Sequence, residues 1–543
     1  MQSKSNSGAD DRARIVFTAG AIVFVSSAFI MTLELVAARL VAQHLGVSLY
    51  TWTAVIGVIL AGITLGNYGG GKLADIYSPR GLLTSLFLLA SIASLSVLLL
   101  VDWMGSWDRP DFMSWPLWIL WGVTITFLVP AIILGTISPA AARLALTAGG
   151  QVGSTVGSVY AAGAAGSILG TFLTGYVLVD RLGSKAIVIG IATGLALLAL
   201  IAGLGLRRRP TGFVLSWLAW LGLVGAATIG PWDWAEYWGH FFGLRFDMSN
   251  YHFDDESSYF AIEVYDADGM DNTRVLALDH LVHSYVSMDD PTELVYAYEA
   301  VYAALTGALL PEHADWGAFF VGGGGYTFPR YLEAVYPAAT IEVAEIDPAV
   351  TRAAHEALGL PRGTSITTWN MDARNFVKDR GRARAGGAAA RYHFIYGDAF
   401  NDLGVPYHLT TRGFNDALAD IMTPEGVYLI NVIDVYRPGY GRFIGAVVAT
   451  LQQTFPYVYV FSGEADGTSD ERDTFVVASS LRRLPREALA RDINPAYGTL
   501  FAWTEAGRPG GDMRLLLSRG EHLVLTDDHA PVDNLLAPVF ALQ

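Results

Sequence analysis

The feature that most constrains this 543-residue chain is the placement of its apolar residues. Seven stretches before position 231 each have about the twenty mostly apolar residues that a helix needs to cross the hydrocarbon core of a bilayer. They are Ile15–Val41, Leu49–Tyr68, Gly81–Val101, Trp115–Ile137, Val152–Val179, Ala186–Gly205 and Gly212–Gly230. Hydrophobic residues make up 52% of the chain and charged residues only 16%, where a soluble domain carries about a quarter. A purely cytosolic protein is therefore excluded. The first stretch is too long for a cleaved leader and lacks a small-residue cleavage site, so it is expected to stay as a helix. The block Gly153–Gly175 is rich in Gly, Ala and Ser and includes the pair Gly166 and Gly170, which predicts a helix inside the bundle. Glu34 and Arg39 fall within the first span; the expectation is a Glu34 that faces the bundle interior and an Arg39 that reaches toward the interface.

Charge divides the chain at the same place. Through Thr211 there are 13 Lys/Arg against 8 Asp/Glu, a net of +5, and the remainder holds 22 against 43, a net of −21. An acidic soluble part is a poor partner for nucleic acid, which calls for clustered cations. Cysteine is absent, which removes disulfides, thiolate metal sites and cysteine nucleophiles. No histidines stand at a metal-ligand spacing such as HExxH, so no metal is expected. Lys/Arg counts in the loops predict a cytoplasmic amino terminus in the plasma (inner) membrane. With seven spans the acidic part would then lie outside, while a nucleoside cofactor requires it in the cytoplasm. The two arguments conflict: either one span is miscounted, with the last stretch and its Trp217 and Trp220 lying in the interface or re-entering, or the cofactor reading fails.

Beyond Trp232 short apolar runs alternate with turn signals. The expected organisation is a transmembrane helical domain (1–231), a β lead-in with a linking helix (232–310), a Rossmann-like α/β domain (311–480) and a C-terminal cap (481–543). Tyr259–Asp266 and Arg274–Asp279 read as lead-in strands, and Asp289–Leu310 as a helix. Strands at Gly317–Val321, Thr340–Glu345, Ser365–Trp369, Tyr392–Tyr396 and Gly426–Val432 alternate with helices at Phe328–Val335, Ala349–Leu358 and Thr410–Ile421. Arg380–Ala390 reads as a loop. Such alternation predicts a parallel sheet covered on both faces, with its ligand at the carboxyl ends of the strands.

Gly322, Gly323, Gly324 and Gly325 follow the first of these strands and open a helix, where glycine permits positive φ and close approach to a ligand. Glu345 ends the next strand, the position from which an acid accepts hydrogen bonds from ribose hydroxyls. Asp372 follows the third strand, where a carboxylate and the neighbouring main chain can read an adenine edge. The spacing is neither GxGxxG nor GxxxxGK[ST], so an adenosyl group without phosphates fits better than a dinucleotide or ATP. Asp398 follows the fourth strand, at the edge where such a group would sit.

The run FFVGGGGYTFPRYLEAVYPAATIEVAEIDPAV (Phe319–Val350) resembles the Gly-rich turn and EIDP strand end of the spermidine synthase family, the aminopropyltransferases. ALDHLVHSYVSMDDPTELVYAYE (Ala277–Glu299) is similar to that family's lead-in, and GDAFNDLGVPYHLTT (Gly397–Thr411) to its catalytic loop. LELVAARL and TDDHAPVDNLL resemble its membrane-fused branch. The resemblance implies a helical membrane bundle followed by an S-adenosylmethionine methyltransferase-type α/β domain. It implies decarboxylated S-adenosylmethionine, or S-adenosylmethionine, held by Gly322, Gly323, Gly324, Glu345, Asp372, Ala373 and His283. Asp398 would be the acid/base, with Asp402 a second candidate and Tyr407 orienting either one. Tyr296 and Tyr298 would line the acceptor site.

Three positions depart from the family pattern. Gly325 replaces an acid, His283 replaces a glutamine, and Tyr298 stands where an acid is expected. The acceptor is then a small amine or a lipid, with membrane lipids as surroundings and a homodimer as one expected assembly. His283 serves either as a cofactor or structural contact or in proton transfer. Asp527 and Asp528 either line the substrate mouth or act as turn acids. The alternative function is a transport or sensing protein whose inactive synthase-like domain binds a nucleoside.

Overall fold

In the computed structural model the chain forms two compact units, residues 1–248 with 256–258, and residues 249–255 with 259–543. The structure describes residues 2–110, 112–149, 151–203, 211–229, 251–279, 281–310, 315–387, 392–399, 405–462, 472–493, 498–540 and 542.

The first unit is helical: α1 (Gln2–Leu45), α2 (Leu49–Ile76), α3 (Pro79–Gly105), α4 (Trp115–Thr147), α5 (Val152–Leu173), α6 (Val179–Gly203) and α7 (Thr211–Ile229). Among the described residues six helices are long and apolar enough to cross a membrane. The seventh stretch does form a helix. It runs over Thr211–Ile229, 19 residues, about 28 Å at 1.5 Å per residue, close to the ~30 Å core. Trp217 in this helix donates its indole N–H to Ser91 Oγ at 2.9 Å.

Close helix pairing follows the small residues. A Cβ at Gly170 would lie 2.5 Å from the Ala28 carbonyl, and one at Gly166 would collide with that of Phe24, so α5 meets α1 backbone to backbone. The expectation that α5 lies inside the bundle is corrected: Tyr160, Ile168, Leu169 and Phe172 on its other faces are exposed, so only the glycine edge is covered. A second seam runs along Gly62, Gly66 and Gly70 of α2 against Ala131, Gly135 and Thr136 of α4. Arg39 is engaged by side chain and main chain within this unit. Its guanidinium is held by Glu256 at 3.0 Å and by the carbonyls of Ser257 and Ser258, and Glu256 also accepts from Ser184 N and Oγ.

The second unit opens with a four-stranded antiparallel sheet, β1 (Tyr251–Glu256), β2 (Ala261–Asp266), β3 (Thr273–Leu278) and β4 (Leu281–Ser287). The helical reading of Asp289–Leu310 shrinks to Ala297–Leu309. The nine-stranded sheet then comprises β5 (Gly317–Val321), β6 (Thr340–Glu345), β7 (Thr367–Asn370), β8 (Tyr392–Gly397), β9 (Met422–Asp434), β10 (Tyr457–Ser462), β11 (Asp473–Ser480), β12 (Thr499–Glu505) and β13 (Arg508–Gly511). Their order is β13-β12-β10-β11-β9-β8-β5-β6-β7. Strands β5 to β9 are parallel and β11 is inserted antiparallel between β9 and β10. Residues after 481 extend this sheet through β12 and β13.

The chain starts in the middle of the sheet, builds outward through β6 and β7, then returns to lay β8 on the other side of β5. That reversal is a topological switch point, and its carboxyl edge is where an open α/β sheet leaves room for a ligand. A packed aromatic core fixes the edge from below: Phe320 stacks on Tyr396 at 4.6 Å, and Tyr302 and Phe328 close around them. The reading of Arg380–Ala390 as a loop fails over its described first part, because a helix spans Ala373–Ala385. Asp372 caps it by accepting from Asn375 N, and Arg380 lies over the Trp369 and Phe376 rings and pairs with Glu342.

Candidate active site

Four strand ends meet at the switch point. Gly322 N donates to Ala344 O and Asp398 N to Val321 O, both at 3.0 Å, which locks the ends of β5, β6 and β8 together. Gly322 has φ +97°, and a Cβ there would lie 2.5 Å from the Asp398 carbonyl, so only glycine fits. Tyr326, left-handed at φ +56°, completes the turn before the helix Thr327–Val335. Its buried hydroxyl bonds with Thr351 and Thr368, which holds this sparsely populated backbone conformation.

The buried Glu345 carboxylate faces this turn. One oxygen accepts from Gly323 N at 2.8 Å and Gly324 N at 3.4 Å, and the other from Asp347 N at 2.9 Å. Burial raises its pKa and these amides pull it back. Glu345 pairs in register with Asn370, the last residue of β7, so Asp372 follows at the neighbouring strand end and the buried Ala373 begins the next helix. The structure thus brings Gly322, Gly323, Gly324, Glu345, Asp372 and Ala373 to one edge of the sheet. Asp372 also carries a partner that the sequence did not reveal, His408, whose Nε2 lies 2.8 Å from its Oδ2.

Asp398 is the acid at the switch point. Its Oδ2 accepts from the Tyr298 hydroxyl at 3.1 Å and its Oδ1 from Asn431 Nδ2 at 2.8 Å. Loss of solvent raises its pKa to about 6 although both hydrogen bonds favour the ionised form. A carboxyl poised there can take or release a proton near neutrality. Tyr298, expected at an acceptor site, therefore orients the acid, the task anticipated for Tyr407. Tyr407 is 55% exposed and packs edge-on against His408. Asp402 lies outside the described residues. Tyr296 stacks between Tyr285 and Tyr298, at 5.3 and 5.6 Å, and Tyr302 extends this aromatic wall.

His283, on β4, has Nδ1 3.0 Å from the Leu281 carbonyl. That nitrogen carries the proton, and burial lowers the ring's pKa, so the imidazole is neutral. Its neighbour Ser284 points the other way and lies beneath the Gly-rich turn, where its hydroxyl accepts from Gly325 N at 3.0 Å.

No model of a known protein family matches the chain. By sequence it is similar to a polyamine aminopropyltransferase of Vibrio vulnificus (strain CMCP6), 28% identical over 214 residues, which are 38% of this chain and 66% of that protein. A probable polyamine aminopropyl transferase of Bifidobacterium longum (strain NCC 2705) is 26% identical over 215 residues, 39% of this chain and 44% of the other. By sequence the chain is similar to spermidine synthase-like proteins. The matches span less than two thirds of these relatives' length. A solved structure, a probable spermidine synthase from Corynebacterium glutamicum ATCC 13032, aligns at 18% identity and TM-score 0.42, covering 51% of this chain and 97% of its own.

Two departures from the spermidine synthase-like pattern acquire a physical account. A side chain at Gly325 has no room, because its Cβ would stand 2.6 Å from Ser284 Cβ. Next to Tyr298, where the acid is missing, the chain carries Glu299, which is buried; its Oε2 has no hydrogen-bond partner among the described residues, and burial with the Asp398 charge raises its pKa well above the usual range. A lone glutamate on an otherwise apolar helix face was the available signal for it.

Proposed function

We propose that this protein is a membrane-embedded transferase that moves an aminopropyl group from decarboxylated S-adenosylmethionine to an amine. The carrying observation is Asp398: an acid at the switch point, held by Tyr298 and Asn431, with its pKa moved to about 6. Glu345 and the Gly322–Gly324 turn would hold the ribose side of the nucleoside, and Asp372 with the Ala373 main chain its base. The bound sulfonium would supply a carbon activated toward displacement. Asp398 accepts a proton from the attacking ammonium, because only the free amine carries the lone pair that displacement needs. The Tyr296 and Tyr298 rings would favour an incoming cation through their faces, and a fixed acid beside them would help position it for displacement. Six long apolar helices support membrane insertion, which suits an acceptor with a hydrophobic part.

Product analysis tests this reading. Purified full-length protein, incubated with decarboxylated S-adenosylmethionine and a panel of diamines and extracted lipids, should yield methylthioadenosine and an aminopropyl adduct. Asp398→Asn should abolish both. An adduct that survives this substitution, or methyl transfer from S-adenosylmethionine in its place, overturns the assignment.

A further inference from the structure

Asp372 closes the β7 end of the cradle with both carboxylate oxygens anchored, Oδ1 by Asn375 N at 3.0 Å and Oδ2 by His408 Nε2 at 2.8 Å. His408 is itself pinned at its other end, where its carbonyl accepts from Arg374 Nη1 at 2.8 Å. Arg374 belongs to the helix that Asp372 caps, so the cap and its helix grip one residue from two sides. Arg374 Nη2 also reaches Asp527 Oδ2 at 2.6 Å, and Asp527 Oδ1 accepts from Thr411 Oγ1 at 2.6 Å. Arg412 N donates to Leu525 O at 2.8 Å, which ties the loop carrying His408 to the same C-terminal segment. The half-exposed Asp527 is thus a turn acid with a bracing task. Its ion pair with Arg374 and its bond from Thr411 lower its pKa, so it stays ionised over the physiological range.

We propose that His408 is a specificity-determining residue: by fixing the Asp372 carboxylate, it makes the site prefer adenine to hypoxanthine in the nucleoside it binds. The inference rests on the adenosyl reading above and adds a residue to it. Adenine offers a 6-amino donor where hypoxanthine offers an oxo acceptor, and the two bases invert donor and acceptor again at N1. A carboxylate oxygen held in one place attracts the amino group and repels the oxo group. A carboxylate free to turn can instead meet the N1–H of hypoxanthine or admit a water, and then it distinguishes the bases poorly. His408 and its brace remove that freedom. Because His408 acts through Asp372, it is a positioning residue, and its signature is a ratio of affinities rather than a loss of binding.

Calorimetric titration of the full-length protein in detergent with 5′-methylthioadenosine and with 5′-methylthioinosine measures that ratio. The wild type should bind the adenine nucleoside more than tenfold tighter, and His408→Ala should cut the ratio about tenfold, the effect of losing one charge-assisted hydrogen bond. His408→Gln, which keeps an N–H donor for Asp372, should retain most of it. Asp527→Asn, which loosens the brace from outside the site, should lower the ratio partway and serves if His408→Ala does not fold. An equal loss of affinity for both nucleosides, an unchanged ratio in all three variants, or a wild type without preference overturns the proposal and leaves the nucleoside site standing. A wild type that binds neither ligand removes the adenosyl reading itself.

Discussion

Tyr298 and Asp398 stand 100 positions apart in the chain and share a hydrogen bond of 3.1 Å. The tyrosine lies in the first turns of the helix Ala297–Leu309, ahead of the Gly-rich turn, and the aspartate at the end of β8. With Asn431 of β9 holding the other oxygen, three elements fix the orientation of one carboxylate. Such over-determination is what a reacting group requires, since a small misplacement costs rate steeply.

Asp398→Asn should eliminate transfer while stabilising the fold. In the folded chain this carboxyl titrates near 6 instead of 3.8. Because the folded pKa lies above the unfolded one, folding favours the protonated form, and stability declines as pH rises through this window. At pH 7 the variant should gain about 1–2 kcal/mol, read from urea denaturation. The wild-type rate should fall as pH drops below about 6, because protonated Asp398 cannot accept a proton. A rate flat from pH 5 to 8 contradicts the role.

Glu345→Gln should loosen the Gly-rich turn. The new amide turns a donor toward Gly323 N or Asp347 N, both of which now donate to the carboxylate. Each unpaired N–H costs about 1–3 kcal/mol. Hydrogen exchange should rise at Gly323 and Gly324, and nucleoside binding should disappear. Unchanged exchange at both glycines contradicts this geometry.

Gly325→Asp, which introduces the acid common in the wider family, should destabilise this chain by about 1–3 kcal/mol, because Ser284 occupies the space. Ser284→Gly in the same chain should recover most of the loss in a double-mutant cycle. Additive effects would show that the two positions do not interact.

The strand and helix pattern was legible because β5, β6 and β8 are short buried runs, and Glu345, Asp372 and Asp398 each sit at the end of a strand or one or two residues past it. What spacing could not show were partners brought together by the crossover: Asn431 at Asp398, His408 at Asp372, and Asp527 at Arg374, 153 positions away. Glu299 was not legible because the spacing of the resembling family puts its acid one position earlier, at Tyr298. Arg380–Ala390 reads as a loop from its arginines and glycines, yet its first residues close a helix over Ala373–Ala385, fixed by the Asp372 cap and by Arg380 lying over two rings.

Gly166→Leu should disrupt the contact of α5 with α1, because its Cβ would collide with the Phe24 carbonyl. Overpacking of this kind costs about 1–3 kcal/mol, and the thermal midpoint in detergent should fall. Gly157→Leu, where a Cβ meets nothing within 4 Å, should leave it unchanged. Equal effects at the two positions contradict the glycine seam.

The most direct test of the central claim, an adenosyl sulfonium site built from the ends of β5, β6, β7 and β8, is calorimetric titration of the full-length protein with decarboxylated S-adenosylmethionine. Saturable one-site binding is predicted, abolished by Glu345→Ala. No heat with this donor, with S-adenosylmethionine or with methylthioadenosine would contradict the account.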